Sequence, residues 1–170
     1  MKKIIFLIAT FLPVSILADD QNQPIKFEKV YEVAGLSKDQ IYDGARQWFA
    51  ISFKSANAVI QYEDKAAGTI IGKGNMSFPC TSYLNCLANK DIKVDFTARV
   101  DSKDGKMRVS YDDLRKVSLP KVSSGLKLSG YSLPIQARSY DGELVSKKLD
   151  ELSDEMVQKI QSQKKVNDDW

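Results

Sequence analysis

The stretch DIKVDFTARVDSKDGKMRVSYDD, residues 91–113, decides the fold. Ile92, Val94, Phe96, Ala98 and Val100 alternate with Asp91, Lys93, Asp95, Thr97 and Arg99. After the tight-turn signal Asp104-Gly105, Met107, Val109 and Tyr111 alternate with Lys106, Arg108, Ser110 and Asp112. A period of two, with one apolar and one charged set, describes paired antiparallel strands with one face buried and the other wet.

Working outward, Ile25 to Val33 also reads as a strand, with Phe27, Tyr31 and Val33 opposed to Lys26, Glu28 and Glu32. Asn57 to Glu63, with Ala58, Ile60 and Tyr62 on one face, and Thr69 to Phe78 are two more, joined by a link short enough for a hairpin. The period changes to helical at Ser37-Lys38-Asp39-Gln40, a capping box that precedes Ile41, Ala45, Trp48 and Phe49. That predicts a helix over 37–53, with Trp48 and Phe49 as core anchors. A second helix is predicted over 143–163, with Val145, Leu149, Leu152, Met156 and Ile160 along one stripe. The order β-α-β-β-β-β-α gives an α+β domain: an antiparallel sheet of about five strands with two helices packed on one face.

Residues 113–142 read as irregular. Thirty residues without strong structure are unusual inside a compact domain, so this segment holds either short strands or a working loop. Val122, Leu126, Leu128, Tyr131 and Leu133 are expected to cover the end of the core, the other reading being a lip for a partner. The single domain is taken as 25–163, preceded by a short linker over 19–24 and followed by a flexible tail over 164–170.

The amino terminus sets an expectation about compartment. Lys2 and Lys3 precede an apolar run from Ile4 to Leu17, and Ala18 stands before Asp19 and Asp20. This is the pattern of a secretory signal peptide, too short to span a bilayer and interrupted by Pro13. Cleavage after Ala18 would leave a periplasmic or secreted protein of about 152 residues with a net charge of about +1 and no transmembrane segment. Near-neutral, well-mixed charge without a basic run argues against nucleic acid as partner.

Cys80 and Cys86 are the only cysteines, with five residues between them. A thioredoxin-like redox site has two intervening residues, and a structural zinc site needs four ligands in a chain with no histidine. Outside the cytoplasm a disulfide is the expected state, contributing roughly 2 to 2.5 kcal/mol through unfolded-state entropy.

Little else offers reactive chemistry. The absence of histidine removes Ser-His and Cys-His nucleophile pairs. Gly72-Lys73-Gly74 fails as a phosphate loop, because Ala67 and Gly74 stand where a glycine and a hydroxyl are required. On a strand these glycines fit a bulge, strong curvature or the close passage of a helix. Asp101 to Lys106 fails as a calcium loop and reads as a hairpin turn. No catalytic residue, metal ligand or cofactor is assigned.

The segment Leu36 to Gly74 carries a resemblance, through Ser37-Lys38-Asp39-Gln40-Ile41-Tyr42, Trp48-Phe49, Val59-Ile60-Gln61-Tyr62 and Gly68-Thr69-Ile70-Ile71-Gly72-Lys73-Gly74. It resembles a bacterial family of domains of unknown function with a fold like that of the TATA-binding protein (DUF4468). The likeness extends less tightly to about Asp112. It implies a TBP-like topology and a habit of secretion, and brings no activity or site residues. A fold name says nothing about DNA.

Two functional readings follow. The first is a non-catalytic binding or envelope-accessory module, with either the polar sheet face carrying Lys93, Asp95, Arg99 and Arg108 or the 113–142 segment carrying Leu126 and Tyr131 as the candidate surface for an envelope protein or apolar ligand. The second is a hydrolase-like enzyme with an acidic or Ser/Lys site, recognisable by a deep pocket with convergent side chains.

Overall fold

A computed structural model describes residues 23–53, 60–123 and 125–168. The expected signal peptide over 1–18, most of the 19–24 linker and the first residues of the strand predicted from Asn57 lie outside them.

The 91–113 stretch forms the expected hairpin, β4 (Ile92–Lys103) and β5 (Lys106–Ser118), closed at Asp104-Gly105 with Gly105 at φ 71°. That left-handed value is the reason for glycine there. The turn also anchors the next layer: Asp104 accepts from the backbone N–H of Lys38 at 2.7 Å, and the Gly105 N–H donates to the Leu36 carbonyl at 2.9 Å. Around the hairpin lie β1 (Phe27–Glu32), β2 (Ile60–Asp64) and β3 (Thr69–Ser77), in the antiparallel order β1-β5-β4-β3-β2. A sixth strand, β8 (Tyr131–Pro134), pairs with residues 115–118 of β5, end to end with β1. Short β6 (Lys121–Ser123) and β7 (Leu126–Leu128) form a separate two-stranded hairpin.

Helix α1 (Lys38–Ser52) begins at the capping box, Ser37 accepting from Gln40 N–H and Gln40 accepting from Ser37 N–H. It buries Ile41, Tyr42, Ala45, Trp48 and Phe49. Helix α3 (Tyr140–Asp168) buries Val145, Leu149, Ser153, Met156 and Ile160. The two helices pack against each other and on one face of the sheet, over Val94, Phe96, Ala98, Val100, Met107, Val109 and Tyr111. A relay of rings crosses this interface. Trp48 meets Phe53 at 5.5 Å, Phe53 meets Phe96 at 6.0 Å, Phe96 meets Tyr111 at 5.3 Å and Tyr111 meets Phe27 at 5.8 Å between centroids. Tyr111 is buried against α3, where its hydroxyl meets Ser153 Oγ at 3.3 Å, and burial pushes its pKa up.

Several expectations are corrected. The 113–142 segment is not irregular: it holds the end of β5 and all of β6, β7 and β8. The phase of β5 slips at a bulge, where Asp113 and Leu114 together face Phe96 and Asp113 takes φ 49°. Buried positions therefore run 107, 109, 111 and then 114, so strict alternation ends at the bulge. Val122, Leu126, Leu128, Tyr131 and Leu133 do not cover the core, since all five side chains are exposed. A second bulge, at Gln61, puts Ile60 opposite Gly72 and Tyr62 opposite Ile71, so Ile60 and Tyr62 leave on opposite faces. Helix α3 runs to Asp168, into the stretch expected as a tail, and starts three residues earlier than expected. Within the cysteine loop, a short helix α2 (Tyr83–Ala88) buries none of its residues. The Cys80–Cys86 disulfide closes this loop around the first turn of α2.

Gly74 on β3 explains one of the two strand glycines. A Cβ there would stand 2.8 Å from ring atoms of both Phe53 and Phe96, so the bare backbone admits the end of α1 onto the sheet. Gly74→Ala is expected to cost about 1–3 kcal/mol by overpacking, read from the urea midpoint. An unchanged midpoint would show that the two rings move aside freely.

Candidate functional site

With both long helices on one face, the other face of the sheet carries the odd-numbered side chains of β4 and their register partners. Lys93, Asp95, Thr97, Arg99 and Asp101 project there from β4. Lys73, Asn75 and Ser77 join them from β3, and Arg108, Ser110 and Arg115 from β5. Four of the six residues singled out in the sequence, Lys93, Asp95, Arg99 and Arg108, thus share one face. Leu126 and Tyr131 do not join them. Leu126 is on the β6–β7 hairpin, and Tyr131 faces a separate cavity of about 320 Å³ lined by Lys116, Leu133 and Ile135.

The centre of the face is an ion-paired knot around Asp101, which alternation on β4 places there although its sequence context suggests only a turn. Arg99 Nη2 donates to Asp101 Oδ1 at 2.8 Å, and Arg108 Nη2 to Oδ2 at 2.7 Å. Thr69 Oγ1 adds a third donor to Oδ1 at 2.8 Å. Partial burial penalises the Asp101 charge, yet the bonds from Arg99, Arg108 and Thr69 outweigh it and lower the pKa from 3.8 to about 2. Each Arg presents its planar fork to the same carboxylate, so the knot fixes both guanidinium groups. Glu28 and Glu32 of β1 extend the pattern, facing Arg108 at 3.9 Å and Lys106 at 2.9 Å.

Beside the knot, toward the bulged end of the sheet, lies an open depression of about 790 Å³. It is lined by Lys73, Asn75, Lys93, Asp95, Thr97 and Arg115 from the polar face and by Phe53, Gly74, Met76 and Phe96 from the helix face, so it reaches across β3 rather than lying on one face alone. The β5 bulge aims Arg115 at this place, where its Nε donates to Ser132 Oγ at 2.8 Å and ties β8 to the rim. Lys93 Nζ donates to Ser77 Oγ at 3.1 Å across the strands. Lys73, Asn75, Asp101 and Arg115 are the residues that sequence reading missed. The first three follow once the register of β3 and β4 is known, and Arg115 follows only from the bulge. Among the described residues no group of His, Cys, Asp and Glu is arranged to hold a metal ion. Among them also, no helix is long and apolar enough to cross a membrane.

The Asp101 knot makes an acid-side prediction. Its folded pKa lies below the unfolded value, so its stabilisation is fully present above about pH 4 and is lost as the pH falls toward 2. Because both arginines are nearly half exposed, the contribution is about 1–2 kcal/mol rather than the full linkage value. Asp101→Asn is expected to lose that amount at pH 7 and to flatten the urea stability profile between pH 4 and 2. An identical profile in the variant would show that the knot contributes nothing.

The fold has relatives in comparison with known proteins. The chain aligns over 85% of its length with the crystal structure of a DUF4468 family protein from Bacteroides ovatus ATCC 8483, covering 90% of it at 20% identity and a TM-score of 0.52. It aligns over 85% with a TBP-like protein from Parabacteroides distasonis ATCC 8503, covering 96% of it at 13% identity and a TM-score of 0.56. At these identities the likeness is one of fold. No functionally curated protein matches the chain. The family profile of the domain of unknown function (DUF4468) with TBP-like fold matches residues 27–116, from the start of β1 to within two residues of the end of β5. The chain belongs to that family.

Proposed function

We propose that this is an exported, non-catalytic binding module of the cell envelope, and that it holds its partner on the open polar face of the sheet. The observation that carries the reading is the one-sided packing: the long helices occupy one face, leaving a charged face whose arginines are pre-set by Asp101 beside an open depression. Side chains locked before binding lose less entropy on binding, which favours recognition of a polar, mixed-charge protein surface. The depression is broad and open, with its carboxylates and lysines spread over three strands, which suits a contact surface better than an enclosed reaction site. Export rests on the Lys2-Lys3, apolar run and Ala18 pattern.

Both parts are testable in the native host. Intact mass of the chain from the periplasmic or extracellular fraction is expected to correspond to a start at Asp19, whereas full-length protein confined to the cytoplasm would overturn export. Tagged protein is expected to retain an envelope component from detergent extracts, and Lys93→Glu combined with Arg115→Glu to lose at least about tenfold of it, as for removal of two central charged contacts. Capture undiminished in that variant, or none by wild type together with an empty native mass spectrum, would overturn the binding face.

A further inference from the structure

One end of the molecule has a character unlike the polar sheet face. The disulfide-closed loop and α2 connect β3 to β4 there, and the β6–β7 hairpin connects β5 to β8. The two connections are held together, Lys121 of β6 bonding Asp91 just before β4 at 2.6 Å and Ser118 of β5 pairing with both Ile92 and Tyr131. On α2, Tyr83, Leu84 and Leu87 are 81%, 74% and 53% exposed. On the hairpin, Val122, Leu126 and Leu128 are 68%, 65% and 43% exposed. The register places Val122 opposite Lys127 and Leu128 opposite Lys121, so apolar side chains leave both faces of the hairpin with a lysine across from each. A two-stranded hairpin with neither face buried has little to hold it in water. A six-residue helix that buries nothing is in the same position.

Charge selects what meets this end. No acidic residue occurs between Asp113 and Asp141. Within 79–91 and 117–134, three basic residues (Lys90, Lys121 and Lys127) stand against Asp91 alone, a net of +2, while Lys116 is ion-paired with Asp141. Without residues 1–18 the chain carries +1, so the remainder sums to −1 and the molecule is electrically lopsided. We infer that this end docks on a bilayer surface bearing anionic headgroups, with α2 and the β6–β7 hairpin inserting their apolar side chains while the lysines remain at headgroup level. Long lysine stems permit that division, and each basic side chain near such a surface adds to the attraction. A protein groove would satisfy the leucines equally well but gives no reason for acid to be absent from the flanking chain. The disulfide closes the loop that carries α2 and the Asp91–Lys121 pair ties that connection to the hairpin, so both reach the interface together. This docking uses residues other than the proposed partner-binding face, and the two stand or fall separately.

The test places a reporter at the tip. In the full chain, Leu126→Trp is expected to be quenched by brominated acyl chains in vesicles of phosphatidylglycerol and phosphatidylcholine. In pure phosphatidylcholine vesicles, or at high salt, the quenching should fall several-fold. In the same chain, Leu84→Ser with Leu126→Ser should weaken vesicle co-sedimentation at least about fivefold while the circular dichroism spectrum stays unchanged. Any amino-terminal contribution is common to both chains and cancels in that comparison. No quenching at position 126 in anionic vesicles overturns the proposal. So does sedimentation velocity showing a dimer that the double serine variant dissolves while quenching is absent, which would assign the tip to a second copy of the chain.

Discussion

The packing of Phe96 and Tyr111 beneath the two long helices is the contact on which the remaining structure depends. These rings occupy adjacent inner positions of β4 and β5, and through them Trp48 and Phe53 of the α1 end and Ser153 of α3 are joined to the sheet. Burial of large rings with edge-to-face contacts supplies more stabilisation per residue than the aliphatic positions around them. It also fixes a direction. Once the helices are committed to this face, every side chain of opposite phase in β3, β4 and β5 is committed to the other. The polar face is thus a consequence of where the aromatic residues fall in a period of two.

Much of this was legible in the sequence because the period was unbroken where it mattered. The β4–β5 hairpin, the capping box at Ser37 and the α3 stripe each carry their own physical signature, and the turn at Asp104-Gly105 leaves the chain one economical conformation. Failures arose where the period slips. At Asp113 a residue added to β5 moves the inner phase from odd to even numbers, and Leu114 then replaces what alternation would require of a charged aspartate. At Gln61 the same device sends Tyr62 outward. A bulge is a backbone event with weak sequence marks, so pattern reading stops at it or carries on out of phase.

Four of the candidate residues share one face because face membership is what alternation reports. Asp101 was missed since its neighbours suggest a turn, although its strand position already placed it beside Arg99. Leu126 and Tyr131 belong to the alternative surface, the 113–142 segment, which rested on hydrophobicity and so carried no direction. Leu126 lies on the β6–β7 hairpin and Tyr131 just after it, which accounts for their exposure. The β6–β7 hairpin extends past the end of the sheet, beyond the reach of the helices that shelter the core.

The molecule is accordingly divided into a sheltered face, a charged face with pre-set arginines and an apolar, basic tip. Under the function proposed above, contact with a partner falls to the sheet face opposite the helices. In-cell photocrosslinking tests this most directly, using a photoreactive residue at Ser110, beside the Asp101 knot, and another at Gln158, on the exposed side of α3. The account predicts a discrete adduct from position 110 and none from 158. An adduct from 158 with none from 110 would contradict it.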